Sequence, residues 1–150
     1  MTSTEILQII TGFLGSFAFA LLFHIRGKKL VFAALGGFLS WMLFVLLKFV
    51  TENEPIRYFL VAVLVSVYAE ILARLLKTPT TTFVISSLIP LIPGGSLYYT
   101  MSTMLEGVND AFLGRAIYTV ELTAALALGI VLSGAVARMV VAVGQRRKNQ

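Results

Sequence analysis

The sequence predicts an all-α polytopic membrane protein with five transmembrane helices. Of its 150 residues, 58% are hydrophobic, against about 45–50% in ordinary soluble domains. Only 13% are charged, and the mean hydropathy is +0.91. A soluble domain of this length could not bury so much apolar surface, so we expect lipid to solvate most of the chain.

Each predicted span is an apolar run long enough to cross the hydrocarbon core, which takes about 20 helical residues. In chain order the runs are Ile6–Ile25, Leu30–Val50, Ile56–Leu76, Thr82–Leu105 and Ala116–Val143. The first run is too long for a signal peptide and no basic segment precedes it, so we expect it to remain as a span. The whole of 1–150 is predicted to form one five-helix transmembrane domain.

The connections between the runs are short, so successive spans must alternate in direction. This sorts the cations: nine of the twelve Lys and Arg residues fall on one side, and only Lys48, Arg57 and Arg115 fall on the other. The positive-inside rule makes the richer side cytoplasmic. The pattern predicts a multi-pass protein of the plasma membrane with its N-terminus outside and its C-terminus inside.

Small residues recur at every fourth position in four of the spans, a pattern that lets helix backbones approach closely in lipid. The stripes are Gly12, Ser16 and Ala20; Gly36 and Ser40; Ala62, Ser66, Ala69 and Ala73; and Ala125, Gly129, Ser133 and Ala137. Packing within the chain explains any single stripe. Four stripes in one chain predict that at least one of them faces a second subunit.

The fourth span contains the segment ISSLIPLIPGGSLYYTM, from Ile85 to Met101, whose centre disfavours a continuous helix. Proline removes a backbone hydrogen bond and clashes with the preceding turn, and glycine allows close approach to the backbone. We expect one half-helix to end near Ile89 and a second to begin near Gly94–Ser96. Irregular backbone at membrane depth lies inside protein or lines a wet cavity.

The second half-helix would present free N–H groups and a partial positive charge at its N-terminus, which suits a carboxylate. Broken helices of this kind form the substrate sites of many secondary transporters. The candidate substrate-binding residues are Pro90, Pro93, Gly94, Gly95, Ser96 and Thr100. A proline kink that serves only the shape of the helix is the alternative.

Three charged residues inside the spans are candidates for coupling or gating. Glu70 and Arg74 have the i, i+4 order that favours a helical ion pair, so they either neutralise each other near the interface or gate the inner mouth. Glu121 has no well-placed partner in its own helix, and unpaired intramembrane acids usually face a cavity. Glu121 is therefore a candidate proton or substrate site.

The sequence lacks the residues that are typical of other classes of function. The chain has no cysteine and one histidine, which leaves little for a transition-metal site, and we expect no cofactor. No paired aspartates or Ser/His arrangement indicates an intramembrane enzyme. The cations lie in short clusters between apolar runs, which does not favour a nucleic-acid partner.

The element KTPTTTFVISSLIPLIPGGSLYYTM, from Lys77 to Met101, together with the five spans, resembles the threonine/serine exporter family. The likeness is to the short members that carry a single five-span half. Its specific part is chiefly IPLIPGGSLYYTM, and the residues that carry over from the family pattern are Pro90, Pro93 and Gly94.

The resemblance implies a membrane subunit of a secondary exporter for small amino acids, such as threonine or serine, or for small dicarboxylates. The implied partner is a homologous five-span subunit with a cytoplasmic N-terminal segment. Two halves of opposite orientation would form an inverted repeat and work by alternating access. A membrane scaffold or assembly subunit that does not transport is the alternative function.

The orientation can be tested by labelling single cysteines placed at Lys28 and Asn53 in this cysteine-free chain. In intact cells, an impermeant maleimide should label position 53 and spare position 28, because the cation distribution places residue 28 inside. Labelling of permeabilised cells controls for accessibility. The opposite pattern would reverse the predicted orientation.

Overall fold

The computed structural model describes residues 3–107 and 109–148, which form helices joined by short connections. The helices are α1 (Ser3–Leu22), α2 (Lys28–Leu47), α3 (Glu54–Leu75), α4 (Thr80–Leu88), α5 (Gly94–Leu105) and α6 (Asn109–Lys148), with a 3-10 turn at Ile89–Leu91. Four of them are long and apolar enough to span a membrane, and α4 with α5 passes the same test as a bent pair, which gives four to five candidate spans. The predicted all-α class is confirmed.

The boundaries of the first span differ slightly from the prediction, which extended it to Ile25. α1 ends at Leu22, and a turn with positive φ at His24 (57°) and Gly27 (66°) leads into α2. Gly27 adopts this conformation without strain because it has no Cβ. The basic cluster beside it lies in this turn and at the start of α2.

The helices pack in a layered order. α1 packs against α2, and α4 lies among α1, α2 and α3. α3 in turn packs along α6, and α5 packs mainly against α6. The bend of 55° between α4 and α5 therefore carries the chain from the centre of the bundle to its edge.

The small-residue stripes fill the close contacts between these helices. A Cβ added to Gly36 would collide with Ser87, and one added to Gly37 would collide with Ser16. A Cβ on Gly129 would lie 2.7 Å from the Cβ of Ala62. The expectation that one stripe faces a second subunit is therefore wrong, because each stripe packs against a neighbouring helix of the same chain.

The helix break occurs where the prolines and glycines predicted it. α4 ends at Leu88, the 3-10 turn follows, and Pro93 is the N-cap of α5. Gly94 N–H donates to the carbonyl of Ile92 at 2.7 Å, a tight turn that replaces the helical pattern. The predicted end near Ile89 and restart near Gly94–Ser96 are confirmed.

Gly129→Leu should destabilise the folded chain because its new side chain would meet backbone as well as Ala62. The added Cβ would lie 2.8 Å from the carbonyl oxygen of Phe59, and a backbone atom cannot move away without a shift of the helix. We expect a loss of about 1–3 kcal/mol or more in stability, typical of overpacking. Thermal unfolding of the purified protein in detergent measures it.

Gly134→Leu is the matched control, since a Cβ at this α6 position has no atom within 4 Å. Leucine also has the better helix propensity, so this variant should unfold at the wild-type temperature or above it. Equal unfolding temperatures for both variants would contradict the close α3–α6 contact.

Candidate substrate site at the helix break

A pocket of about 420 Å³ lies where α5 begins, between the break and helices α2, α3 and α6. Five of the six predicted substrate-binding residues line it: Pro90, Pro93, Gly94, Gly95 and Ser96. The two prolines end the helical pattern, and the two glycines leave the backbone open to the pocket. The break thus puts main-chain groups, and not only side chains, on the pocket wall.

The first turn of α5 contributes unpaired amides. Leu97 N–H is the first to bond back along the helix, donating to Pro93 O at 3.0 Å. Gly95 and Ser96 precede it, so their N–H groups have no helical acceptor, and no side chain in the described part of the molecule caps this helix. These amides carry the partial positive charge of the helix N-terminus.

Thr100 does not line the pocket but belongs to a hydroxyl cluster that ties α5 to α6. The Oγ1 of Thr119 lies 2.7 Å from Ser96 Oγ and 2.9 Å from Thr100 Oγ1. Thr119 itself donates to the carbonyl of Arg115 at 2.8 Å. Thr100 Oγ1 also donates to the carbonyl of Ser96 at 2.8 Å, so three hydroxyl protons are shared among four contacts. The contact with Thr119 ties Ser96, a pocket residue, to α6.

The pocket contains charges of both signs. Arg115, on α6, places its guanidinium 5.4 Å from the ring centroid of Tyr99. Glu54, at the start of α3, accepts a hydrogen bond from the hydroxyl of Tyr118. Tyr58 is buried beside them. The lining of this pocket therefore includes a cation, free amides and a carboxylate.

Analysis of the sequence did not single out several of these residues. Arg115 served there only to assign the sides of the membrane, and Glu54, Thr119 and Trp41 were not considered as site residues. The spacing of Arg115 and Thr119 puts both on one face of α6, which was an available signal. Nothing local to α3 connects Glu54 with residues 90–96.

A larger groove, of about 1020 Å³, lies between α3, α4 and α6 toward the other end of the bundle. Glu70 and Arg74 line it, with their charged atoms 3.7 Å apart, which confirms the i, i+4 pair. Arg74 also donates to the carbonyl of Ala137 at 3.1 Å. Thr80 and Arg138 add polar groups to the groove.

An apolar cluster separates the pocket from the groove. Val61, Val65 and Leu91 are its almost fully buried members. Leu122 of the same cluster reaches the pocket, and Ile130 packs against it from the groove. The two cavities share no lining residue, and this apolar layer lies between them.

Glu121 lies on an exposed face of α6 and lines neither the pocket nor the groove. No hydrogen bond or ion pair joins it to another of the described residues. Within the described part of this chain it therefore faces neither of these cavities, and its role as a proton or substrate site stays a prediction. The rotation of α6 points it away from the bundle.

The chain matches the family model described as Threonine/Serine exporter, ThrE, over residues 8–136. It belongs to the threonine/serine exporter family. The match runs from α1 into α6 and includes the break and the pocket around it. No curated protein and no solved structure matches the chain. The family and the apolar helices together identify a transmembrane protein of amino-acid export, in a family of transporters and not of enzymes.

Thr119→Val should loosen the attachment of α5 to α6. Valine has the same shape but cannot bond, so the hydroxyl of Ser96 would lose its partner, at a cost of about 1–3 kcal/mol if it stays buried. Thermal unfolding and proteolysis of the α5–α6 connection measure the effect. Thr123→Val is the control, since that hydroxyl bonds only to carbonyls of its own helix. Identical behaviour of the two variants would show that the hydroxyl cluster does not hold α5.

Proposed function

We propose that this chain is the membrane subunit of a secondary exporter for small amino acids of the threonine/serine type. It acts with a homologous partner half by alternating access, in the plasma membrane. The proposal rests on the pocket at the helix break, whose lining combines free amides and Arg115 with the carboxylate of Glu54. Family membership supports the class of transport.

A zwitterionic amino acid fits the charges of this pocket. Its carboxylate would bind the amides of Gly95 and Ser96 together with Arg115, since helix N-termini and guanidinium groups both favour anions. Its ammonium group would pair with Glu54, beside the rings of Tyr58 and Tyr118. The volume of about 420 Å³ leaves space for a small side chain and water.

A small dicarboxylate is the second candidate substrate. It would also bind the amides and Arg115, but its other carboxylate would lie in a pocket that already contains Glu54. Like charges in one partly desolvated site repel each other. The presence of Glu54 therefore favours the amino acid.

The exposed position of Glu121 supports a partner half. Glu121 lies within the apolar part of α6, Ala111–Val140, and a carboxylate exposed to lipid is costly. A second subunit that covers this face would supply a cation, a hydrogen-bond donor or a wet cavity. We propose Glu121 as a coupling residue at that contact, and Glu70 with Arg74 as a gate at the groove.

Alternating access would open the apolar layer between the pocket and the groove. In this conformation Val61, Val65 and Leu91 close the path between them. Because α3 and the 3-10 turn at Ile89–Leu91 supply these side chains, a shift of one half against the other would open the layer.

The deciding experiment measures export of labelled threonine from cells that contain the chain and its partner half. The double variant Pro93→Ala, Gly94→Ala should fold well and lose export, because alanine favours a continuous helix in which the amides turn to helical carbonyls. Robust export by this variant would leave the break with only a role in shape. Absence of export by the wild-type complex would favour a scaffold that does not transport.

Glu54→Gln distinguishes the two substrate classes in the same assay. Loss of an ion-paired hydrogen bond should raise the half-saturating threonine concentration about tenfold or more. Succinate serves as the small dicarboxylate. If the wild type transports succinate, the variant should transport it better, because the repelling carboxylate is gone. An equal rise in the half-saturating concentration of both substrates would show that Glu54 does not bind the ammonium group.

A further inference from the structure

The groove between α3, α4 and α6 is larger than a small amino acid needs. Its volume of about 1020 Å³ is more than twice the 420 Å³ of the pocket at the helix break. Ile85 of α4 and Val131 of α6 line the groove, and they are 51% and 63% exposed. Because both residues lie in candidate membrane spans, lipid chains can reach the groove from its side.

The lining changes from polar to apolar along the groove. Arg138 lies close to the end of the apolar part of α6, and Thr80 begins α4. Val131 comes two helical turns before Arg138, about 10 Å deeper along α6, and Val84 comes one turn after Thr80. On both walls the apolar residues therefore lie deeper in the membrane than the polar ones. A phospholipid has the same order, with its headgroup at the surface and its chains in the hydrocarbon core.

Arg138 supplies a positive charge that no acid in the groove balances. The charged residues of the lining are Arg74, Arg138 and Glu70. Arg74 is paired with Glu70 at 3.7 Å and also donates to the carbonyl of Ala137 at 3.1 Å. None of the described residues forms an ion pair or a hydrogen bond with the guanidinium group of Arg138. The described part of the groove therefore has room for one more anion.

The wall formed by α4 adds two hydroxyl groups. Thr80 and Thr81 line the groove, and neither hydroxyl is hydrogen-bonded to another of the described residues. A hydroxyl can donate to a phosphate oxygen, and a guanidinium group can donate two parallel hydrogen bonds to a phosphate. The polar end of the groove thus combines a cation with neutral donors, which suits a phosphate group.

We propose that this groove binds one anionic glycerophospholipid. Its phosphate is held by Arg138 and the two threonines of α4, and an acyl chain lies along Val84, Ile85 and Val131. Basic recesses between transmembrane helices are typical binding sites for anionic headgroups. The site is independent of the proposed export function.

The bound lipid also has a structural consequence. α4 packs among α1, α2 and α3, whereas α6 packs along α3 and α5. The lipid therefore bridges two helices that are not packed along each other in the described part of the chain. A ligand that binds only the folded chain raises its unfolding temperature, so lipid binding can be measured as stabilisation.

Thermal unfolding of the purified full chain in detergent tests the headgroup site, with added phospholipids that have identical acyl chains. Phosphatidylglycerol should raise the unfolding temperature in a saturable way, and phosphatidylcholine, which has no net charge, should have little effect. Arg138→Gln should raise the half-saturating concentration of phosphatidylglycerol about tenfold. Arg26→Gln is the matched control, because it removes a charge on the same predicted side of the membrane from a residue that does not line the groove. It should titrate like the wild type.

Gly134→Leu tests the apolar part of the groove. Gly134 lines the groove, and a Cβ at this position meets no atom within 4 Å, so leucine would occupy the space of the acyl chain without a clash. Without lipid the variant should unfold no lower than the wild type, and it should lose most of the stabilisation by phosphatidylglycerol. Gly114→Leu, at an equally open position outside the groove, should keep that stabilisation.

Four results would overturn the lipid site. Equal stabilisation by the two phospholipids would show that no group reads the headgroup. An unchanged titration in Arg138→Gln, or the same shift in Arg26→Gln, would assign the effect to general surface charge. Full stabilisation of Gly134→Leu would place the acyl chain elsewhere. Equal stabilisation by inorganic phosphate, or displacement of the lipid by threonine, would make the groove a site for free anions or for the substrate.

Discussion

The rest of the structure depends on how the backbone N–H and C=O groups of the fourth span find hydrogen-bond partners in a medium without water. A backbone N–H left without an acceptor in hydrocarbon costs several kcal/mol, so a span can interrupt its helix only where protein or a wet cavity surrounds it. Pro90 and Pro93 impose the interruption, and the amides of Gly95 and Ser96 are its consequence. The pocket around them is the environment in which unpaired amides can persist, and in the proposed function the same amides bind the carboxylate of the substrate.

Close packing elsewhere makes this interruption possible. Gly36, Gly37 and Gly129 let helices meet at backbone distance, so the bundle around α4 holds its shape although α4 has only nine residues. The same packing buries the small-residue faces between helices of this chain. Contact with a second subunit must therefore involve other surfaces, of which the α6 face with Glu121 has the strongest electrostatic reason to be covered.

The arrangement of charge distinguishes this pocket from a general anion site. Arg115 and the α5 amides attract a carboxylate, whereas Glu54 attracts a cation, and both belong to the same space of about 420 Å³. In the proposed function, a zwitterion is preferred because each of its charges would meet an opposite charge in this pocket.

The sequence by itself determined the properties that are local or compositional: lipid solvation, the number of spans, the position of the break and the Glu70–Arg74 pair. Proline and glycine act on their own backbone, and an i, i+4 pair is set by helix geometry, so no tertiary information was needed. Only the tertiary structure decided which helix each small-residue stripe meets, that Thr100 bonds to Thr119 instead of lining the pocket, and that Glu121 faces outward. These features, like the meeting of Glu54, Trp41 and Arg115 at the break, depend on how each helix is rotated and on which helices are neighbours. The order of apolar runs along the chain does not specify helix rotation or helix neighbours.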